Sequence, residues 1–184
     1  MFHFNNIYYF IDNFNRKEIL NLPKNINIVY RNYSERINEK NIIEIKNYCK
    51  INHNKFYIAN NLRLALKYKL NGIYLPSFNK NLRVKYFKTK NFEILGSAHN
   101  VREIKLKEKQ GVSKLFIAPI FKVNKKKYYL NIIKFNLLSR CTKKKLIVLG
   151  GINKMNIKKL KLLNCIGFGS ISFIKEYLKN EWYY

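Results

Sequence analysis

Two glycine-containing segments near the end of the sequence have the composition of phosphate-binding loops. Residues 150–153 read Gly-Gly-Ile-Asn, and residues 167–172 read Gly-Phe-Gly-Ser-Ile-Ser. Glycine lets backbone N–H groups approach an anion closely, and Asn153 precedes apolar residues at helical spacing, so a capped helix would add its dipole. A single Gly-Gly pair is equally typical of tight packing at a strand end. The two segments together therefore indicate a phosphate site.

His99 is the histidine best placed for acid–base chemistry. It follows the apolar run at residues 92–96, whereas His3 is terminal and His53 lies in a polar segment. Imidazole titrates near neutral pH, so it can both take and return a proton. A lone histidine is just as often structural, and both interpretations remain open at this point.

Other polar residues follow the remaining apolar runs. In chain order they are Asp12, Arg31, Asn60, Asn61, Ser77, Asn79, Ser97 and Lys126. Arg31 and Lys126 would bring positive charge to a phosphate. Asp12 is the only aspartate in the sequence, so a site built on two aspartate ligands for Mg²⁺ is excluded.

Eight short apolar runs, each followed by a longer lysine-rich segment, would position these residues. They begin near residues 7, 26, 56, 72, 92, 114, 146 and 165. Near-continuous apolar runs of four or five residues are typical of parallel strands buried on both faces. Asn100, with Glu103 three residues on and Gly111 after it, predicts one of the intervening helices, and Asn61 predicts the start of another.

This alternation predicts an α/β fold, a compact (β/α)8 TIM barrel with a parallel eight-stranded sheet, over residues 1–184 as one domain. Each unit averages 184/8 = 23 residues. Such barrels usually need 200–250 residues, so the first helix (about 16–22) and the fourth (about 80–86) must be short. A doubly wound sheet would require a glycine-rich loop after the first strand, and residues 12–15 contain no glycine. In a barrel, the active site lies at the carboxyl ends of the strands.

The sequence carries 37 basic and 10 acidic residues, a formal net charge of +27. Lysine, asparagine and isoleucine are all abundant, and lysines cluster only at residues 125–127 and 143–145. No recognisable nucleic-acid-binding motif accompanies them. We therefore expect the charge to reflect composition, with no dedicated nucleic-acid partner, and a basic nucleic-acid-binding protein is the alternative.

The remaining composition indicates a cytoplasmic protein. The longest apolar stretch, residues 115–121, is far too short to span a bilayer, so we expect no membrane partner. Three cysteines lie far apart without CxxC spacing, which is typical of reduced thiols. A homo-oligomer is compatible with the sequence.

Taken in order, the strand-end motifs resemble the thiamine phosphate synthase/TenI family over about residues 8–174. The matching features are the first strand ending in Asp12, Arg31, Asn60, Gly96-Ser97-Ala98-His99, Ala118-Pro119-Ile120-Phe121 with Lys126 after it, and the two glycine-containing segments. Members of this family serve thiamine biosynthesis. They either join a pyrimidine diphosphate to a thiazole phosphate, releasing pyrophosphate, or isomerise a thiazole carboxylate phosphate.

The resemblance implies a role for each matching residue. Gly151, Ile171 and Ser172 would bind the thiazole phosphate, and His99 matches the histidine that transfers a proton in the tautomerase branch. The residues that would face the pyrophosphate or the pyrimidine are Arg31, Asn60, Ser97 and Lys126. The partners implied are a small phosphorylated thiazole and, for the synthase branch, a pyrimidine diphosphate.

The sequence departs from the synthase pattern at the metal site. The two aspartates that bind Mg²⁺ in the synthase branch fall on Asn61 and Asn79, which leaves Asp12 as the one carboxylate that could contribute. Neutral amides bind a hard cation weakly, so Mg²⁺ is in doubt and we expect no other cofactor. Residues 75–77, Leu-Pro-Ser, also resemble the tautomerase branch. The sequence thus favours metal-free isomerisation over condensation, and a non-catalytic phosphate-binding barrel is a further alternative.

Overall fold

The computed structural model describes residues 6–33, 37–123 and 128–180. Within them, the strands are β1 Asn6–Ile11, β2 Ile26–Tyr30, β3 Phe56–Ala59, β4 Gly72–Leu75, β5 Glu93–Ala98, β6 Lys114–Ile117, β7 Lys145–Leu149 and β8 Gly167–Ser170. The α-helices are α1 Arg16–Leu20, α2 Glu39–Ile51, α3 Leu62–Lys67, α4 Val101–Lys109, α5 Asn131–Ser139 and α6 Ser172–Asn180. The connections after β4 and β7 contain 3₁₀ helices, Leu82–Phe87 and Ile157–Leu162.

All eight strands are parallel and form a closed barrel in chain order. β1 closes it by pairing with both β2 and β8, where Ile11 lies opposite Tyr30 and Tyr9 lies opposite Ser170. The predicted (β/α)8 barrel is therefore confirmed. The carboxyl ends of all eight strands open at the same end of the barrel, where the strand-end residues of the sequence are gathered.

Aromatic side chains fill the barrel interior. Alternate residues of each strand point inward, so Phe10 of β1, Tyr74 of β4 and Phe116 of β6 meet at the centre. The Phe10 and Tyr74 rings lie 5.1 Å apart and the Tyr74 and Phe116 rings 5.5 Å apart, each pair edge to face. This contact is the geometry that aromatic quadrupoles favour. The packed rings form a rigid floor beneath the carboxyl ends of the strands.

Asparagine side chains begin several of the helices. Asn15, Asn38, Asn61 and Asn100 each accept a hydrogen bond from a backbone N–H in the first turn of α1, α2, α3 and α4. A cap of this kind satisfies a donor that has no partner inside the helix. Several of the abundant asparagines therefore stabilise the fold as N-caps of its helices.

The short first and fourth helices are confirmed, but the seventh helix differs from the prediction. Asn153 does not cap a helix: its side chain accepts from the backbone N–H groups of Met155 and Asn156 in a turn, at 3.0 and 3.1 Å. The helix that follows is a 3₁₀ helix of six residues that begins at Ile157. Local side-chain bonds compete with the α-helix at this position. The prediction that a helix capped at Asn153 adds its dipole to the phosphate site was therefore wrong.

None of the helices among the described residues is long and apolar enough to cross a membrane.

At the amino-terminal end of the barrel, Glu93 of β5 is held by two lysines and a tyrosine. Lys55 and Lys114 form ion pairs with its carboxylate, the latter at 3.0 Å, and Tyr57 donates its hydroxyl to the same group at 3.1 Å. Burial alone would raise the pKa of Glu93, but the hydrogen bonds and charges of the two lysines together lower it below its ordinary value. Glu93 therefore links β5 to its neighbour β6 and to the start of β3 through charged hydrogen bonds.

We expect Glu93→Gln to lower the free energy of unfolding by about 1–3 kcal/mol, because it leaves the exposed Lys55 and the largely buried Lys114 without a charged partner and removes one of the two acceptor oxygens. Urea unfolding measures the change. The matched control is Glu176→Gln, which removes an exposed pair with Lys154 and should cost less than about 0.5 kcal/mol. Because the folded pKa of Glu93 is lowered, the difference should shrink as the pH falls below the ordinary value of 4.5. A difference that stays constant down to acid pH would contradict this account.

Candidate active site at the carboxyl ends of the strands

The fold brings the two glycine-containing segments side by side. Leu149 of β7 pairs with Gly169 of β8, so Gly151 and Ile171 each lie two residues beyond that pair. Within the described part of the chain, the backbone N–H groups of Gly151, Ile171 and Ser172 donate to no protein acceptor. Ser172 begins α6, a helix of nine residues. The segments thus present free backbone donors at one place on the rim, as an anion site requires.

Gly151 has a second structural reason to be glycine. Its φ is +72°, and a Cβ there would lie 2.6 Å from the carbonyl oxygen of Phe121 and 2.7 Å from that of Lys122. A side chain would therefore displace the segment after β6 before it obstructed any ligand. Gly151 is the point where the chain after β7 packs against the chain after β6.

His99 is fixed in orientation and in tautomer. It follows β5 directly, and its backbone N–H donates to Glu103 at 2.8 Å in the predicted capping arrangement of α4. Its ring Nδ1 lies against the carbonyl oxygen of Ala118, at the end of β6. Because a carbonyl can only accept, Nδ1 carries the proton, and Nε2 of the neutral ring is an acceptor. No partner for Nε2 is found among the described residues.

Arg31 and Ser97 lie above the aromatic floor. The guanidinium carbon of Arg31 is 5.4 Å from the centre of the Phe10 ring, which is a cation–π distance. Ser97 is buried at the end of β5. Burial raises the pKa of Tyr74 above its ordinary value, which keeps its hydroxyl protonated. Sequence reasoning missed Tyr74, although its place in the fourth apolar run could have indicated an inward position.

A cavity of about 710 Å³ lies beside the ends of β2, β3 and β4. Its lining includes Asn32, Tyr33, Asn60, Asn61, Arg63 and Phe78. The Tyr33 and Phe78 rings meet edge to face at 5.6 Å, and they give the cavity an aromatic wall. Asn60, at φ +55°, accepts a hydrogen bond of 2.7 Å from the side-chain amide of Asn79. The cavity is therefore polar on one side and aromatic on the other.

The amides at the positions of the synthase metal ligands do not fit a divalent cation. Asn79 Oδ1 accepts from the backbone N–H of Asn81 at 2.9 Å and from the side-chain amide of Gln110 at 3.0 Å. Asn61 Oδ1 accepts from the N–H of Leu64 at 3.0 Å as the cap of α3. A backbone N–H can only donate, so both oxygens are correctly placed as acceptors; Asn79 Oδ1 uses both of its lone pairs, and Asn61 Oδ1 uses one in the helix cap. Among the described residues, no cluster of three His, Cys, Asp or Glu could hold a metal.

Lys107 and Gln110 of the α4 segment form a buried polar cluster that sequence reasoning also missed. The Lys107 ammonium donates to the carbonyl oxygens of Pro76 and Asn79 at 2.7 and 2.9 Å, and to the Gln110 side chain at 2.9 Å. Burial lowers the pKa of Lys107 to about 8, so the ammonium is still charged at neutral pH. Its spacing of three residues from the buried Ile104 was the only signal in the sequence.

Two predicted residues, Asp12 and Lys126, have no described contact with the other residues of the site. Asp12 is exposed at the end of β1, and its carboxylate accepts from the neighbouring backbone N–H of Asn13 at 2.9 Å. Lys126 lies outside the described residues. The fold therefore gathers Arg31, Ser97 and His99 with the glycine-containing segments at one end of the barrel, without assigning Asp12 a partner across the site.

Residues 24–174 match the family model described as thiamine monophosphate synthase. The chain belongs to the thiamine monophosphate synthase family. Two members are similar in sequence, both named thiamine-phosphate synthase. The one from Prochlorococcus marinus subsp. pastoris is 30% identical over 125 residues, covering 66% of this chain and 36% of its own length. The one from Methanococcus vannielii is 26% identical over 123 residues, covering 65% and 59%. The matched region thus spans about a third and about three-fifths of these relatives.

Solved structures support the same fold. A thiamine phosphate pyrophosphorylase from Pyrococcus furiosus superposes with a TM-score of 0.76 at 17% identity, covering 95% of this chain and 92% of that one. Another from Bacteroides thetaiotaomicron gives a TM-score of 0.61 at 16% identity, covering 91% and 83%. At 16–17% identity, these two superpositions show the barrel fold over most of the chain.

Proposed function

We propose that this chain binds a phosphorylated thiazole and isomerises a thiazole carboxylate phosphate by proton transfer through His99, without a divalent cation. The observation that carries the proposal is the tautomer of His99, whose Nδ1 is held by Ala118 so that Nε2 is left as the acceptor. Nε2 takes a proton from one position of the thiazole ring and returns it to another. The reaction is balanced within one substrate and needs no leaving group.

The substrate phosphate would bind at the ends of β7 and β8. The free N–H groups of Gly151, Ile171 and Ser172 are the donors, and the N-terminus of α6 favours negative charge there. Arg31, Asn60, Ser97 and Lys126 are the residues we assign to the other half of the site, where Arg31 would attract the carboxylate of the substrate.

The engaged amides of Asn61 and Asn79 support a metal-free reaction. Expulsion of pyrophosphate develops charge on the leaving oxygens and gains most from a divalent cation. Proton transfer between ring positions develops no such leaving group. The donor set of this chain therefore suits isomerisation better than condensation.

Condensation with a pyrimidine diphosphate is the second candidate. It is favoured by the cavity of about 710 Å³ beside β2, β3 and β4, which has room and an aromatic wall for a second substrate. Arg31 and Lys126 would then bind the pyrophosphate. The names of the two sequence relatives point the same way.

One experiment separates the two reactions. The purified chain is given thiazole phosphate and pyrimidine diphosphate with Mg²⁺ or with chelator, and separately the thiazole carboxylate phosphate. We expect isomerisation that is insensitive to chelator and no thiamine phosphate. Magnesium-dependent formation of thiamine phosphate would contradict the proposal and would show that the chain catalyses the condensation. Phosphate binding without either activity would leave a non-catalytic barrel.

A further inference from the structure

We propose that Lys107 is a positioning residue that takes the place of a divalent cation in ordering the segment after β4. The inference rests on the proposed function in one respect: it explains how this end of the site is held together when no metal takes part. It concerns residues 76–81, which run from the end of β4 into the 3₁₀ helix Leu82–Phe87.

The hydrogen bonds of the ammonium are complete. Three N–H donors meet three oxygens, those of Pro76, Asn79 and the Gln110 side chain, all within 2.9 Å. Lys107 is fully buried. A neutral amine could supply only two donors, so the geometry is that of the charged form. A buried charge is retained only where such a set of partners compensates for lost water.

Gln110 extends the same arrangement to the site. It is also fully buried, and the two N–H groups of its amide are shared among three acceptors, the backbone oxygens of Asn79 and Asn81 and Asn79 Oδ1, at 3.0 to 3.1 Å. The amide of Asn79 is thereby turned so that its NH₂ group points to Asn60. A chain of hydrogen bonds thus runs from Lys107 through Gln110 and Asn79 to the edge of the cavity.

A bound cation orders a loop by contacting several of its carbonyl oxygens. The Lys107 ammonium makes the same kind of contact with the segment after β4, and it belongs to the chain itself. It also makes the position unsuitable for an external cation, because like charges repel and the side-chain oxygen of Asn79 is already used. The inference therefore has two consequences: the segment depends on Lys107, and Mg²⁺ does not contribute to it.

Both consequences are measured by NMR on the full chain. The variant is Lys107→Met, which keeps most of the volume, and the matched control is Lys109→Met, an exposed lysine on the same helix. We expect hydrogen exchange at the backbone amides of Asn79 and Asn81 to quicken about tenfold or more in the first variant only. The amides of the β5 strand should remain protected. In the wild type, millimolar Mg²⁺ should leave the side-chain amide signals of Asn60, Asn61 and Asn79 unchanged.

Unchanged exchange at Asn79 and Asn81 in a folded Lys107→Met variant would overturn the inference, as would saturable Mg²⁺ shifts at these amides in the wild type. If Lys107→Met does not fold, Gln110→Leu tests the same cluster with the lysine retained, and equal exchange to wild type would count against the proposal. A parallel titration with thiazole phosphate keeps the two proposals apart. Failure to bind it removes the proposed function, whereas the hydrogen-exchange results concern Lys107 alone.

Discussion

Replacement of His99 by asparagine should lower the rate of thiazole isomerisation by a factor of about 10² to 10⁴, the usual contribution of a positioned acid–base group. Asparagine can place its NH₂ group where Nδ1 lies, so the hydrogen bond to Ala118 is kept while Nε2 is lost. The variant therefore separates the chemistry of the ring from its structural bond. Initial rates with the thiazole carboxylate phosphate measure the effect.

The control is His53→Asn, which changes an exposed histidine at the opposite end of the barrel, after α2. It should retain the wild-type rate. A His99→Asn variant that keeps the wild-type rate would show that another group transfers the proton. Loss of the rate together with a large fall in thermal stability would assign His99 a structural role instead, so both properties are measured on the same samples.

Replacement of Gly151 by alanine should weaken the binding of thiazole phosphate by at least about tenfold. The φ of +72° strains any side chain by about 1–3 kcal/mol. In addition, a Cβ would press on the carbonyl oxygens of Phe121 and Lys122, so the segment that carries the free N–H groups must move. Calorimetry with thiazole phosphate measures the affinity.

Gly111→Ala is the matched control, because that glycine has a similar φ of +76° but follows α4, away from the strand ends. A Cβ there would lie 3.2 Å from the Cβ of Lys85, a milder contact. Both variants should lose stability in urea, and only Gly151→Ala should lose affinity for thiazole phosphate. Equal affinity in the wild type and in Gly151→Ala would remove Gly151 from the phosphate site.

Local patterns in the sequence predict the barrel because they are repeated eight times. Each buried strand is a short apolar run, and caps such as Asn100 with Glu103 depend on residues only three apart. These short-range patterns remain recognisable even though lysine, asparagine and isoleucine are abundant throughout the sequence. The placement of His99 at the end of β5 follows from them directly.

Long-range contacts explain what the sequence could not predict. Lys107 is one of 37 basic residues, and what distinguishes it is its contact with Pro76 and Asn79, about thirty positions earlier in the chain. The turn at Asn153 was missed for a different reason. The side chains of Asn153 and Asn156 bond to the local backbone, and such bonds compete with the α-helix.

The buried cluster around Lys107 also restricts which side chains position 79 can carry. An aspartate at position 79 would keep an acceptor for Asn81 and Gln110 but would lose the amide that donates to Asn60. Exchange of this one amide for a carboxylate would therefore break the hydrogen-bond chain that runs from Lys107 through Gln110 and Asn79 to Asn60.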